Sequence, residues 1–162
     1  MKTNLSSQIT LNRVSPKYYR PENAFEKSVL TRLEKLPTDI FESFEEGANK
    51  IACDIAQTIR DKQKTGRNCV LALTGGDTPR SIFQALIKMH KEEGLSFQNV
   101  IVFNLYEYYP LASDAINSNL NELKEMFLDH VDINPANIYS PNGTIEKDLI
   151  FEHCAQYEQK IQ

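Results

Sequence analysis

Two short apolar runs stand out along a chain of otherwise mixed polarity. Residues 69–73 and 100–105 have the length and composition of buried strands. Each precedes a segment with apolar residues at helical spacing, over residues 79–91 and 118–127, and a short strand at 138–139 precedes a last helix from about residue 145. Apolar strands that alternate with amphipathic helices indicate a parallel sheet with helices on its faces. The predicted fold class is therefore α/β, a three-layer sandwich with a mainly parallel, Rossmann-like sheet.

The chain changes character near residue 39. The preceding residues are polar, are interrupted by prolines and contain one predicted helix over residues 23–35. From residue 39 to the turn near Gly66, apolar side chains recur at helical spacing: Phe41, Phe44, Ala48, Ile51, Ile55 and Ile59. We therefore predict an N-terminal extension over residues 1–38 and an α/β domain over residues 39–162.

Composition excludes several classes of protein. A chain of 162 residues suits one domain, and its net charge of -4, without a clustered basic face, argues against nucleic-acid binding. No apolar run reaches membrane-spanning length and the N-terminus lacks the apolar core of a signal peptide, so we expect no membrane partner and a cytoplasmic location. The spacing of the three cysteines predicts reduced, buried thiols and no metal site: Cys53, Cys69 and Cys154.

The loop after the first strand has the composition of an anion site. It reads Thr74-Gly-Gly-Asp-Thr78 and is followed by Pro79, with Thr78 as the expected N-cap and Pro79 at the first helical position. Two glycines allow a sharp turn with outward amides, and a helix N-terminus carries partial positive charge, so a phosphate can bind here. An ordinary strand-to-helix turn has the same local pattern.

The end of the second strand is also polar. Glu107 stands there among three tyrosines: Tyr106, Tyr108 and Tyr109. Ligands of parallel α/β sheets bind outside the carboxyl ends of the strands. We therefore predict that the two strands are parallel and adjacent, and that one crevice contains Gly75, Gly76 and Glu107. The alternative is that the tyrosines cover a sheet edge beside a solvated Glu107.

A series of segments, taken in order, carries a resemblance to a known family. The segments are Leu73-Thr-Gly-Gly-Asp-Thr-Pro79, Ala85-Leu-Ile-Lys-Met-His-Lys91, Leu95-Ser-Phe97, Val102-Phe-Asn-Leu-Tyr-Glu-Tyr108, Asp129-His-Val-Asp-Ile133 and Asn142-Gly143. From about residue 48 onward the chain resembles the glucosamine-6-phosphate deaminase (isomerase) family, which shares its fold with 6-phosphogluconolactonases. The lactonase branch usually carries Asp-Glu-Arg after the second strand, so the Glu107-Tyr108 pair fits the deaminase branch better.

The resemblance implies a reaction and a set of site residues. An amino-sugar phosphate would be opened, a proton would move between C2 and C1, and ammonia would leave to give fructose 6-phosphate, with no cofactor and no metal. Ser118 aligns with a serine of the substrate pocket. The loop amides would hold the sugar phosphate, which assigns phosphate binding to five residues: Thr74, Gly75, Gly76, Asp77 and Thr78.

Two positions depart from the family pattern. The family's carboxylate base, the Asp before the Glu-Tyr pair, is replaced by Tyr106, whose neutral phenol with a pKa of about 10 is a poor base at neutral pH. Tyr106 and the adjacent Glu107 are the candidate catalytic residues, although Glu107 points to the opposite side of an extended segment. The second departure is Asp77, where the family prefers Gly or Ser. Its carboxylate would occupy the phosphate-binding amides, or repel the phosphate unless Arg80 offsets the charge.

The family domain is roughly twice as long as the part found here, and its second half supplies further catalytic groups. We therefore expect residues 39–162 to be the amino-terminal part of that domain, inactive alone. The long N-terminal region resembles a subgroup with a fused deacetylase-like domain, and a homo-oligomer is a further expectation. Three functions stay open: a deaminase/isomerase, a catalytically impaired sugar-phosphate-binding or regulatory domain, and a 6-phosphogluconolactonase-like hydrolase.

Overall fold

The computed structural model describes residues 23–32 and 39–162, which form two compact units divided between Gly47 and Ala48. In the first unit, helix α1 spans Ala24–Thr31. Its N-cap is Asn23, whose side-chain oxygen accepts a hydrogen bond from the Glu26 amide at 2.9 Å. The helix is shorter than predicted, and residues 33–35 lie outside the described part of the chain.

Helix α2 spans Phe44–Lys64 and presents a face of small residues to the core. Its buried residues are Ala48, Ala52, Ala56 and Ile59. Phe44 and Ile51, two residues of the apolar pattern, are 63% and 44% exposed. The predicted helix is confirmed, and three alanines with Ile59 make its contact with the core.

The sheet contains three parallel strands in the order β1-β2-β3. They span Cys69–Leu73, Val100–Asn104 and Ile138–Tyr139. β1 and β2 pair in register from Cys69 opposite Val100 to Leu73 opposite Asn104, which confirms that the two strands are parallel and adjacent. Leu105 lies just beyond β2, but its amide still donates to the Leu73 carbonyl at 2.9 Å.

Three helices accompany the sheet: α3 spans Arg80–Glu93, α4 spans Asn119–Met126 and α5 spans Ile150–Ile161. The predicted start of α3 was wrong: Pro79 is its cap, and no side chain caps it. Thr78 and Pro79 instead lie in a tight turn, in which the Arg80 amide donates to the Asp77 carbonyl at 3.2 Å. α5 begins later than residue 145, because a 3-10 turn over Lys147–Leu149 precedes it.

Aromatic residues fill both sides of the sheet. On one side Phe127 stacks on Phe83 at 4.8 Å and meets Phe97 edge-on at 5.5 Å, within a core that includes Val100 and Val102 of β2. On the other side Phe103 stacks on Tyr139 and meets Tyr157 of α5 edge-on. Helices therefore lie on both faces of β2, as expected for a three-layer α/β sandwich, and the predicted fold class is confirmed. The expectation that residues 69–73 form a buried strand was only partly right, because Val70 and Ala72 on one face of β1 are exposed.

The cysteines only partly follow the expectation of buried thiols. Cys69 is buried, and burial raises the pKa of its thiol. Cys53 and Cys154 are exposed, so the expectation was wrong for these two. On α2 the neighbouring Ala52 faces the core, and successive helix positions lie about 100° apart. Cys53 is thereby turned outward. Within the described ranges, no helix is long and apolar enough to span a membrane.

Candidate functional site

The loops that follow β1 and β2 meet at one edge of the sheet. Leu73 and Asn104 end their strands opposite each other, and the bond from the Leu105 amide to Leu73 continues the pairing by one residue. Residues 74–79 and 105–109 therefore leave the sheet side by side, at the edge where parallel α/β sheets bind their ligands. The two polar segments that the sequence singled out are neighbours in space.

A hydrogen bond joins the two loops directly. The Thr74 hydroxyl donates to the phenol oxygen of Tyr106 at 2.9 Å. Tyr106 remains 48% exposed. Much of its surface is therefore open to solvent beside residues 74–79, which we call the glycine loop. The bond thus links the first residue after β1 to the segment after β2.

The Glu107 carboxylate accepts four hydrogen bonds from other groups of the protein. One oxygen accepts from the amides of Tyr108 at 3.0 Å and Asn119 at 2.9 Å. The other accepts from the Ser118 hydroxyl at 2.8 Å and the Leu120 amide at 3.0 Å. Three of these donors open helix α4, whose first amides have no partner within the helix. Glu107 thus fixes the segment after β2 to the start of α4.

The electrostatics of Glu107 follow from these bonds. Burial alone raises the pKa of its carboxyl group, but the four hydrogen bonds favour the ionised form more strongly and hold the pKa below its usual value. A carboxylate with a lowered pKa and four donors has little basicity and no free lone pair for a substrate proton. Its geometry is that of a structural anchor.

Ser118 is bound into the same arrangement. Its side chain is fully buried, its hydroxyl donates to Glu107, and its oxygen accepts from the Asn121 amide at 3.3 Å as the N-cap of α4. The sequence assigned Ser118 to a substrate pocket. In the structure its hydrogen-bonding capacity is used by the helix and by Glu107.

Asp77 forms an ion pair at the entrance to the glycine loop. Its Oδ1 accepts from Arg80 Nε at 3.2 Å and from Arg80 Nη2 at 3.1 Å, and its side chain is 94% exposed. The guanidinium therefore offsets the carboxylate charge that the sequence placed in the loop. Neighbouring Gly76 adopts φ +96°, a conformation that L side chains rarely adopt, so a glycine is required there.

Glu122 also reaches the glycine loop, which the sequence did not suggest. Its carboxylate lies against Gly75, where a Cβ atom would come within 2.5 Å of Oε2. The residue is in the first turns of α4, and its distance from Gly75 along the chain leaves no signal in the sequence pattern. The loop of this chain is thus bordered by two carboxylates, those of Asp77 and Glu122.

Asn104 ties the ends of β2 and β3 together. Its side-chain amide donates to the Ser140 hydroxyl at 2.9 Å, and its backbone carbonyl accepts from the Tyr157 hydroxyl at 2.9 Å. Asn104 is fully buried, and a polar residue at the end of an apolar strand is the signal that could have revealed it. Burial raises the pKa of the Tyr157 phenol, which keeps this donor protonated.

A separate groove of about 550 Å³ lies between α3 and α4. Its lining combines side chains of both charges with two apolar ones: Arg80, Gln84, Ile87, Lys91, Glu122, Glu125, Met126 and His130. It shares only Arg80 and Glu122 with the surroundings of the glycine loop. Among the residues that the structure describes, no group of three histidine, cysteine or acidic side chains could hold a metal ion.

Comparison with known proteins identifies the family. The family described as glucosamine-6-phosphate isomerases/6-phosphogluconolactonase matches residues 42–162. The chain belongs to this family. A glucosamine-6-phosphate deaminase-like protein of Bacteroides thetaiotaomicron is 75% identical over the whole chain, which covers 24% of that relative. Glucosamine-6-phosphate deaminase 1 of Bacillus subtilis is 38% identical over 74% of the chain and 47% of its own length.

Solved structures of the deaminase family share the fold of this chain. A monomeric glucosamine-6-phosphate deaminase has a TM-score of 0.68 and 35% identity, over 75% of this chain and 48% of its own. The 6-phosphogluconolactonase of Thermotoga maritima has a TM-score of 0.56 at 18% identity, over 70% of this chain and 49% of its own, and this likeness concerns the fold alone. The chain thus spans half or less of the length of these deaminase-family relatives.

Proposed function

We propose that the whole protein that carries this chain binds an amino-sugar 6-phosphate. Residues 74–79 and 105–109 would form one wall of the binding site. Family membership supports this proposal, and so does the meeting of the two loops at the carboxyl edge of the sheet. In this arrangement the amides of Gly75, Gly76, Asp77 and Thr78 contribute to phosphate binding at the start of α3.

We propose further that deaminase turnover is severely impaired. The identity and contact of Tyr106 carry this proposal, because the resemblance implies a carboxylate base at its position and the Thr74 hydroxyl is bonded to the tyrosine that stands there. Glu107 cannot replace that base, since its carboxylate already accepts four hydrogen bonds. General-base catalysis contributes about 10²–10⁴-fold in rate, so its loss would leave binding largely intact and turnover weak.

The substitution Tyr106→Asp in the whole protein tests this proposal. If the rest of the site is intact, the restored carboxylate should increase ammonia release from glucosamine 6-phosphate by about 10²-fold or more. Tyr109→Asp is the matched control, because it adds the same charge to the same segment away from the base position.

The outcomes separate the two functions. A gain confined to Tyr106→Asp supports an amino-sugar site disabled at one position. A folded Tyr106→Asp protein without any gain favours the sugar-phosphate-binding or regulatory role. Wild-type turnover at the rate of ordinary family deaminases would refute the proposal. The Tyr-Glu-Tyr sequence at the strand end gives no support to a 6-phosphogluconolactonase-like hydrolase.

We also propose a cytoplasmic location, a second domain fused to this one, and residues 1–38 as an extension outside the deaminase-like domain. The length of the 75% identical relative, of which this chain covers 24%, supports the fused domain. Self-association into a homo-oligomer stays a prediction, which light scattering on the whole protein can test.

A further inference from the structure

The backbone amides of the glycine loop have no partner in the described part of the chain. Among residues 23–32 and 39–162, no acceptor takes a hydrogen bond from the amides of Gly75, Gly76, Asp77 or Thr78. Gly75 is nevertheless buried. Because buried backbone amides in proteins are nearly always paired, the loop offers donors that an anion can use.

The carboxylate of Glu122 covers Gly75. A Cβ atom at Gly75 would lie 2.5 Å from Oε2 and 3.1 Å from Cδ of Glu122. Glu122 is half-buried, and within the described ranges no cation and no hydrogen-bond donor pairs with its carboxylate. A carboxylate without a counterion therefore lies over the loop that is proposed to bind phosphate.

The charges around the glycine loop oppose a phosphate. The loop is bordered by the carboxylates of Asp77 and Glu122, and the guanidinium of Arg80 is already paired with Asp77. The charge of Glu122 is thus left uncompensated. A phosphate that approaches the same amides meets a like charge, and this repulsion is stronger beside a half-buried group than in bulk water.

The groove between α3 and α4 offers Glu122 a second position. Glu122 lines this groove of about 550 Å³ as well as covering Gly75, and Arg80 lines it too. A glutamate side chain has several rotatable bonds, so its carboxylate can turn from the loop into the groove while α4 stays in place. The loop can thereby exchange one anion for another.

We propose that Glu122 is a specificity-determining residue whose carboxylate competes with a phosphate for the glycine loop. This inference rests on the proposed function, since it requires the phosphate to bind at residues 74–78. While the carboxylate lies over Gly75, the loop disfavours a doubly charged anion. Phosphate binding must displace the carboxylate into the groove, and this displacement lowers the affinity of the whole protein for the phosphate.

Glu122→Gln in the whole protein tests the inference, because it removes the charge and keeps the size of the side chain. Titration calorimetry should show about tenfold tighter binding of both inorganic phosphate and glucosamine 6-phosphate. The gain should shrink as the salt concentration rises, which a purely structural role would not produce. Glu122→Ala, which also removes the bulk, should bind at least as tightly.

Glu125→Gln is the matched control. It removes the same charge about one turn further along α4, from a residue that also lines the groove, and should leave both affinities within about twofold. An equal gain in Glu125→Gln would assign the effect to net charge and overturn the inference.

The remaining outcomes separate the inference from the proposed function. Unchanged binding in folded Glu122→Gln and Glu122→Ala overturns the inference, while binding of glucosamine 6-phosphate to the wild-type protein still supports the proposed function. Weaker binding of glucosamine 6-phosphate alone would show that Glu122 pairs with the ammonium group of the ligand, which also overturns the inference. Binding by Glu122→Gln only supports it. If neither probe binds to the wild-type protein or to the variants, the proposed function fails as well.

Discussion

Glu107 shows how neighbouring side chains decide what a carboxylate can do. From the sequence it is an acidic residue at a strand end and hence a candidate for proton transfer. In the structure, two donors approach each of its oxygens, and three of the four donors belong to the start of α4. The partial positive charge of a helix N-terminus stabilises a carboxylate there. The same bonds that remove its basicity make it a strong link between two elements.

Replacing Glu107 by Gln tests this role. The glutamine side chain has an NH₂ group where the carboxylate has an accepting oxygen, so this group would face two hydrogen-bond donors. We therefore expect a loss of about 1–3 kcal/mol in the free energy of unfolding at pH 7. Urea denaturation of the chain measures this loss. Glu125→Gln is the matched control, because the carboxylate of that exposed residue of the same helix accepts a bond from the Asn121 side chain and none from a helix amide is recorded among the described residues.

The effect of Glu107 should depend on pH. Its pKa is lowered in the folded state, so its stabilisation is complete above the pKa of the unfolded carboxyl and is lost as the pH falls through the folded pKa. The difference between wild type and Glu107→Gln should therefore shrink in acid. Equal stability of the two proteins at neutral pH would contradict the role of Glu107 as a structural anchor.

Asp77 permits a separate prediction about anion binding. Asp77→Ser removes a carboxylate from the glycine loop and releases the Arg80 guanidinium from its ion pair. Both changes favour a phosphate. The whole protein should therefore bind glucosamine 6-phosphate about threefold to tenfold more tightly.

Titration calorimetry at fixed salt measures the effect of Asp77→Ser. Asp129→Ser removes an exposed negative charge elsewhere and serves as the control for net charge. Because the pair with Arg80 is highly exposed, its loss should leave stability nearly unchanged. Unchanged or weaker binding would show that Asp77 does not oppose the phosphate.

At the scale of elements, the connection from β2 to α4 is the part on which the crevice depends. It is fixed at Glu107 and again near its middle, where the Leu111 amide donates to the Gly143 carbonyl at 2.8 Å. Gly143 is packed closely against backbone: a Cβ there would lie 2.7 Å from the Tyr108 carbonyl oxygen and closer still to that of Leu111. The Asn142-Gly143 pair of the family pattern thus supports the tyrosine-bearing segment.

Gly143→Ala should therefore cost about 1–3 kcal/mol of stability, since the new methyl group meets backbone that cannot move alone. Gly75→Ala is the comparison, because there the methyl group meets the end of the flexible Glu122 side chain. Thermal or urea unfolding of both variants should show the larger loss for Gly143→Ala. A smaller loss than for Gly75→Ala would mean that the segment near residue 108 is not held in this way.

At the scale of the whole molecule, the chain corresponds to about half of a deaminase domain. It covers 47% of the Bacillus subtilis relative and 48% of the monomeric deaminase. We therefore predict that the 162-residue chain alone releases no ammonia from glucosamine 6-phosphate in a coupled assay, even with Tyr106→Asp. Release by the isolated chain at family rates would show that the amino-terminal half suffices for catalysis.

The sequence by itself determined the elements and their order. The apolar run at β2 is predictable because a strand buried on both faces leaves a continuous signal, and Ser118 marks the start of α4 because its cap is local. The run at β1 gives the same signal, although Val70 and Ala72 on one of its faces are exposed. The family motifs are also local segments, and their resemblance to a known family indicated the fold class. The buried face of α2 was not evident from the sequence, because its stripe of alanines gives a weaker signal than the exposed Phe44 and Ile51.

Only the tertiary structure decided how the site residues are used. The bond between Thr74 and Tyr106 joins residues 32 positions apart, and the donors from α4 reach Glu107 across 11 to 13 positions. Glu122 meets Gly75 over a still longer distance along the chain. Such contacts depend on where strand ends and helix starts converge in space. Local periodicity carries no information about that convergence, so the sequence supplied the candidate residues and the fold assigned their partners.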